Sequence, residues 1–366
     1  MATQAASAYQ PLPAANHIGA TSCPIRPAGD QSVVAPVPRL REMPRLPTLA
    51  DVNAARQRLD GIALHTSLEA SGELAQATGA TEVRLKREEL QPTGAFKTRG
   101  AHNKVAVVAE GRPEAALVTA SSGNHGIAVA TAAVRHGMRL TVLVGRSVSP
   151  AKLERLRALE TSRITVELVG SDTDDAEIEA RRRDDAGHAI YIPPYNDPEV
   201  IAGQATVGVE ILEDWPEVDT IVVPIGGGGL IAGIGLWAKA VKPGLQLIGV
   251  QPAASPPMYA HFETGATEPM PIAPTLADGV AGNIERDSIT WKLCRQLVDE
   301  VVLVEEEEIR EAMRWALEVP HILLEGSAVL GIAALRPGLL DLAGRSVAVV
   351  TTGRNVSIET LRSALA

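Results

Sequence analysis

Residues 116–144 read A-L-V-T-A-S-S-G-N-H-G-I-A-V-A-T-A-A-V-R-H-G-M-R-L-T-V-L-V. An apolar run over 116–120 stops at a small polar loop. A helical apolar pattern follows over 127–136, and a second apolar run, 140–144, closes the unit. Short apolar runs bounded by turn residues fit buried strands, and their alternation with helices argues for parallel strands joined by crossover helices. The pattern extends in both directions. Downstream it predicts a helix over 151–159, a strand over 164–169, a helix over 175–185 and a short strand over 189–192. A helix over 198–215, a strand over 220–224, a helix over 230–241 and a strand over 247–251 come next. Residues 253–283, rich in Pro and Gly, read as a loop region, and 347–351 as a last buried strand. Upstream, Thr48 or Asp51 caps a helix carrying Val52, Ala55, Leu59 and Ile62. Residues 68–77 form another short segment, and 83–86 a strand. The fold class is α/β, with open and mostly parallel sheets.

At 366 residues the chain is long enough for a large core, and 45% of it is apolar. Aromatics make up only 3%, so that core is aliphatic. A formal charge of −10 gives no electrostatic basis for nucleic-acid binding. The one compact basic run, Arg181-Arg182-Arg183, is followed by Asp184 and Asp185 and reads as a solvated helix face. No apolar run is long enough to span a bilayer. Two cysteines, Cys23 and Cys294, make no disulfide framework and suit a reducing, cytoplasmic setting. The histidines show no metal-like pairing. Residues 1–45, rich in Ala, Pro, Ser and Gln, are expected to be a disordered extension.

Four stretches carry chemistry. Residues 88–101 read E-E-L-Q-P-T-G-A-F-K-T-R-G-A, and Pro92 and Gly94 place Lys97 just inside a new helix. A lysine beside Phe96 is either a solvated surface residue or a partly desolvated amine with a lowered pKa, able to attack an aldehyde. Ser121-Ser122-Gly123-Asn124-His125-Gly126 joins a strand to a helix. Either Ser121 or Ser122 is a simple N-cap, or the loop binds a carboxylate or phosphate; its many donors favour the anion. Gly226-Gly227-Gly228-Gly229 lies between a strand and a helix and suits a phosphate at the positive helix end. It lacks the Lys-Ser/Thr of a Walker loop and the ribose-binding acid of a dinucleotide fingerprint. Thr352-Gly353-Arg354-Asn355 follows the last strand, at a sheet edge where ligands collect.

Together, from about Leu46 onward and in this order, these motifs resemble the threonine/serine dehydratase and serine racemase group of fold-type II pyridoxal-phosphate enzymes. The resemblance implies two lobes with pyridoxal 5'-phosphate between them: a large lobe of 46–118 and 195–366, and a small lobe of 119–194. It implies that Lys97 carries the cofactor covalently with Phe96 packed beside it. Gly226, Gly227, Gly228, Gly229 and Leu230 would hold the phosphate, Asn124 the ring hydroxyl and Thr352 the ring nitrogen. Glu325 matches an acidic residue near the cofactor. Ser121, Asn124 and His125 would receive the substrate carboxylate, and Ser122 matches the racemases' second acid/base. A neutral Thr352 at the ring nitrogen makes a weaker electron sink than a carboxylate, which suits elimination better than transamination.

The activity so implied is dehydration and deamination of a small β-hydroxy amino acid, L-threonine or L-serine by default, giving a 2-oxo acid and ammonia. Alternatives are dehydration of 3-hydroxyaspartate, phenylserine or a hydroxyectoine-breakdown intermediate, racemisation on the same fold, or a non-catalytic amino-acid-binding protein. A homo-oligomer, a dimer by resemblance, is expected, with no nucleic-acid or membrane partner. The chain departs from the group at three places. Asp172-Thr173-Asp174-Asp175-Ala176 lacks the arginine that helps racemases hold substrate. Arg354 either adds a charge near the site or points to solvent. Gln251 and Pro257 stand where relatives that bind a divalent cation carry two carboxylates, so no metal is expected.

Overall fold

The computed structural model describes residues 45–366. The extension expected over 1–45 therefore lies, but for Arg45, outside the described residues, as does Cys23. The strands are β1 (Leu68–Ala70), β2 (Glu82–Arg87), β3 (Ala116–Ala120), β4 (Arg139–Gly145), β5 (Ile164–Val169), β6 (Ile190–Tyr191), β7 (Thr220–Pro224), β8 (Gln246–Pro252), β9 (Glu300–Val304) and β10 (Ser346–Thr351). The helices are α1 (Leu49–Leu59), α2 (Gly72–Thr78), α3 (Lys97–Gly111), α4 (Asn124–Arg135), α5 (Pro150–Arg157), α6 (Thr173–Asp185), α7 (Pro198–Asp214), α8 (Gly229–Val241), α9 (Pro257–Thr264), α10 (Ile289–Leu297), α11 (Glu306–Glu318), α12 (Leu330–Ala333) and α13 (Ile358–Leu365).

Among the described residues the strands form two sheets. One has the order β5-β4-β3-β6 and is parallel throughout. The other has the order β1-β2-β10-β7-β8-β9 and is parallel except for β1 at its edge. Val347 to Val350 in the central β10 are fully buried. A strand covered on both faces has no polar side to show, which is why 347–351 reads as one apolar run. Thr351, Pro224 and Ala120 end β10, β7 and β3, so three of the four motif loops leave the carboxyl ends of strands.

Two features fix α3, the helix that Lys97 begins. A Cβ on Gly203 of α7 would fall 2.7 Å from the Gly100 Cα, so the two helices meet backbone to backbone. Beneath them Arg99, almost fully buried, donates to Glu88 at 2.7 Å and to Glu210 at 2.6 Å. Lys86, also buried, donates to the same Glu210 at 2.7 Å. Breaking such a cluster strands charge in a low-dielectric interior, so it holds the start of α3 against β2 and α7.

Local differences from the sequence expectations have local causes. Segment 68–77 is a strand and a helix, because the Ser71 hydroxyl accepts from the Leu74 N–H and starts α2. The first helix ends at Leu59, leaving Ile62 beyond it. The expected loop 253–283 contains α9, which opens on Pro257 and closes at Gly265 in the left-handed conformation. The helix expected from residue 127 begins three residues earlier, at Asn124. In the basic run, Arg181 is not solvated: it ion-pairs with Glu285 and stacks 5.0 Å from the Tyr191 ring centroid.

Candidate active site

Lys97 is the first residue of α3, after a turn in which Gly94 takes a left-handed φ of 77°. A side chain at Gly94 would strike Asn355 Oδ1, at 2.7 Å. The Lys97 ammonium donates to the Pro194 carbonyl at 2.7 Å and sits 5.1 Å from the Phe96 ring centroid. Burial lowers its pKa to about 8, against a smaller opposing pull from Glu177. The desolvated-amine reading of this lysine therefore has a physical basis, and the solvated-surface reading does not.

The four motif loops converge here. The Phe96 N–H donates to the Thr352 carbonyl at 3.0 Å, and the Arg354 N–H to the Gly94 carbonyl at 2.9 Å. Asn355 Nδ2 donates to the Thr93 carbonyl at 2.9 Å and to Asn124 Oδ1 at 2.6 Å. Asn124 Nδ2 in turn donates to Glu325 Oε1 at 2.8 Å. Burial, with Asp278 adding repulsion, raises the Glu325 pKa to about 7. Arg354 itself is exposed, so it points to solvent.

A cavity of about 500 Å³ opens over Lys97, lined by Ser121, Ser122, Gly123, Asn124, His125, Gly226 and Gly227 among others. Phe96, Gly228, Gly229, Leu230, Glu325 and Thr352 do not line it. Phe96 precedes Lys97, Glu325 accepts from Asn124, and Gly229 packs against Tyr195. Neither Ser121 nor Ser122 caps α4: Gly123 is the N-cap, and the Ser121 hydroxyl accepts from the Gly123 N–H at 3.2 Å. The first N–H groups of α4 thus have no partner within the helix. His125 is buried and its Nε2 meets the Ile192 carbonyl at 2.9 Å, so Nε2 carries the proton. Burial, and then the charge of Lys97, push its pKa down to about 3, and it is neutral at working pH.

The glycine loop opens α8 with Gly228 as a left-handed N-cap, φ 84°. A Cβ on Gly227 would lie 2.3 Å from the Tyr195 ring, so backbone alone fits between that ring and the cavity. The start of α4, a glycine loop leading into α8 and a partly neutral amine around one cavity suit pyridoxal phosphate: backbone N–H groups meet an anionic phosphate, and the amine meets an aldehyde. Among the described residues no group of three or more His, Cys, Asp or Glu side chains is placed to hold a metal ion. Gln251 is fully buried, donating to the Ile225 carbonyl at 3.3 Å and accepting from the Tyr259 N–H at 2.9 Å.

Several contributors went unread in the sequence. Arg99, Glu88 and Glu210 look like ordinary surface charges in one dimension. Tyr195 shows no periodic signal, and Asn355 reads only as the end of the last motif loop, with no role of its own. Glu177 lines the cavity from the middle of α6, and only the helical face it shares with Arg181, four residues on, hints at a common environment.

The model of the family described as "Pyridoxal-phosphate dependent enzyme" matches residues 61–353. The L-threonine ammonia-lyase of Thermotoga maritima is 40% identical over 311 residues, 85% of this chain and 76% of that protein. The serine racemase of Oryza sativa subsp. indica is 31% identical over 328 residues, 86% of this chain and 94% of that protein. The structure of processed threonine deaminase isoform 2 from Solanum lycopersicum superposes with a TM-score of 0.79 at 28% identity, covering 90% of this chain and 97% of that one.

Proposed function

The chain belongs to the pyridoxal-phosphate-dependent enzymes, and from that premise we propose that it removes water from a β-hydroxy amino acid, L-threonine or L-serine by default, to give a 2-oxo acid and ammonia. One observation carries the reading: the Lys97 amine, its pKa lowered to about 8, faces a cavity walled by the start of α4 and by the glycine loop that leads into α8. When bound, the cofactor supplies the electron sink that makes the substrate α-proton acidic. Lys97 would carry the cofactor covalently, and its Nζ, once the substrate amino group had displaced it, would take that proton, a role open to an amine that is partly neutral near physiological pH. Gly226 to Gly229 and Leu230 bind the phosphate, Asn124 the ring hydroxyl and Thr352 the ring nitrogen, with Glu325 held beside Asn124. Ser121, Asn124 and His125 orient the substrate carboxylate; a neutral His125 does so by hydrogen bonding and not by charge. Residues 119–194, with β3 entering the four-stranded sheet from Ala116, act as a small lobe against a large lobe of 46–118 and 195–366. Closure of one on the other excludes water. We place the enzyme in the cytoplasm as a homo-oligomer, which light scattering tests. Release of 2-oxo acid across a panel of β-hydroxy amino acids tests the reaction; an enzyme that releases none overturns it.

Racemisation is a second reading, favoured by Ser122, which lines the same cavity as Lys97. Ser122→Ala should abolish racemisation while lowering elimination less, with both rates followed on one substrate by chiral chromatography. Unchanged racemisation would exclude Ser122 as the second base.

A further inference from the structure

Part of the cavity wall is acidic. Asp172, Asp174 and Glu177 line the cavity from α6 and the turn before it, and Asp278 lines it from the segment after α9. The cations beside these carboxylates, Lys152 of the cavity lining among them, are already paired. Lys152 Nζ lies 2.6 Å from Asp278 Oδ2. Arg181 ion-pairs with Glu285 and reaches Glu177 Oε2 only at 3.7 Å. Lys97, whose charge also acts on Glu177, carries the cofactor in the working enzyme. Burial, joined by repulsion from Glu285 and Asp174 and only partly offset by Arg181, raises the Glu177 pKa to about 7.

We propose that Glu177 sets the charge of the substrate side chain: the cavity admits a neutral or cationic β-substituent and excludes a second carboxylate. The proposal rests on reading this cavity as the amino-acid site. A substrate held by its α-carboxylate at the start of α4 leaves its side chain the remaining volume, whose wall is acidic. A second carboxylate there meets ionised oxygens and no free cation, and like charges a few ångströms apart in a partly buried site are worth at least about tenfold in affinity. The site therefore selects threonine-like over aspartate-like hydroxy amino acids.

The test compares kcat/KM of the cofactor-loaded enzyme for L-threonine and for 3-hydroxyaspartate at pH 8, where Glu177 is ionised. Wild type should prefer L-threonine. Glu177→Gln should lower that preference at least about tenfold, and Glu177→Asp, which keeps the charge, should retain most of it. A second readout needs no turnover. The Kd values of L-alanine and L-aspartate, which lack a β-leaving group, are read from the shift in visible absorbance, and Glu177→Gln should tighten L-aspartate relative to L-alanine by a similar factor. A Glu177→Gln enzyme with both ratios at wild-type values overturns the proposal. If wild type turns over neither hydroxy amino acid, the proposed reaction fails, while the Kd ratio still decides the role of Glu177.

Discussion

Lys97 shows how a few neighbours convert an ordinary side chain into a reactive one. Burial strips water from its ammonium and outweighs the pull of Glu177, so the proton is held loosely even though the Pro194 carbonyl accepts from it. Lys97→Ala should abolish both the visible absorbance of the cofactor-loaded enzyme and 2-oxo acid release, with the far-ultraviolet circular dichroism unchanged. A variant that keeps the absorbance and full turnover would show that another residue carries the cofactor. His125, two residues into α4, is the counterpart case: the same burial that frees the Lys97 proton denies one to the imidazole.

At the level of elements, the site depends on how α3 is docked. Arg99 lies two residues after Lys97 and pairs with Glu88 and Glu210 in the interior. Arg99→Met should destabilise the protein by about 3–5 kcal/mol, because two buried carboxylates lose a partner. Urea unfolding of the cofactor-free protein measures this, and a loss below about 1 kcal/mol would show that the network relaxes without cost. The β8–α9 connection carries a different prediction. Gln251 there spends its amide on the Ile225 carbonyl and the Tyr259 N–H, and Pro257 opens α9. Neither supplies the carboxylate oxygen that a hard cation needs. Added Mg²⁺ should neither activate the enzyme nor raise its Tm, and chelator should leave activity unchanged. Activation by Mg²⁺ that chelator reverses would contradict this reading of Gln251 and Pro257.

For the whole molecule, buried histidines set the acid limit. Burial lowers the pKa of His102 to about 4 and that of His125 to about 3, from an ordinary 6.5. Between those values and 6.5 the unfolded chain binds more protons than the folded one, so stability contributed by each histidine is lost as pH falls through that window. Glu177 and Glu325, raised to about 7, act in the opposite sense: their folded forms gain stability as pH falls from about 7 toward 4.5. The clean observable is therefore a difference. His102→Asn should lose less stability than wild type between pH 6.5 and 4, measured by thermal unfolding at several pH values. Parallel pH profiles for the two proteins would remove His102 from the account.

Much of this protein was decided along the chain. The strand over 220–224 lies on its apolar run because a strand buried on both faces must be apolar and its neighbours must turn. The order of the motif loops, the Lys97 helix start and the missing acids at Gln251 and Pro257 are likewise local facts. Tertiary structure alone decided which local possibilities were used. The chain does not say that Gly123, and not a serine, caps α4, since capping depends on what else the hydroxyl meets. Nor does it say that Arg99 joins Glu88 and Glu210, or that Arg181 turns inward to Glu285 while Glu177 lines the cavity. Burial and pairing link residues distant in sequence, and a pKa follows from that company, so the selectivity of the site arises only when the chain is folded.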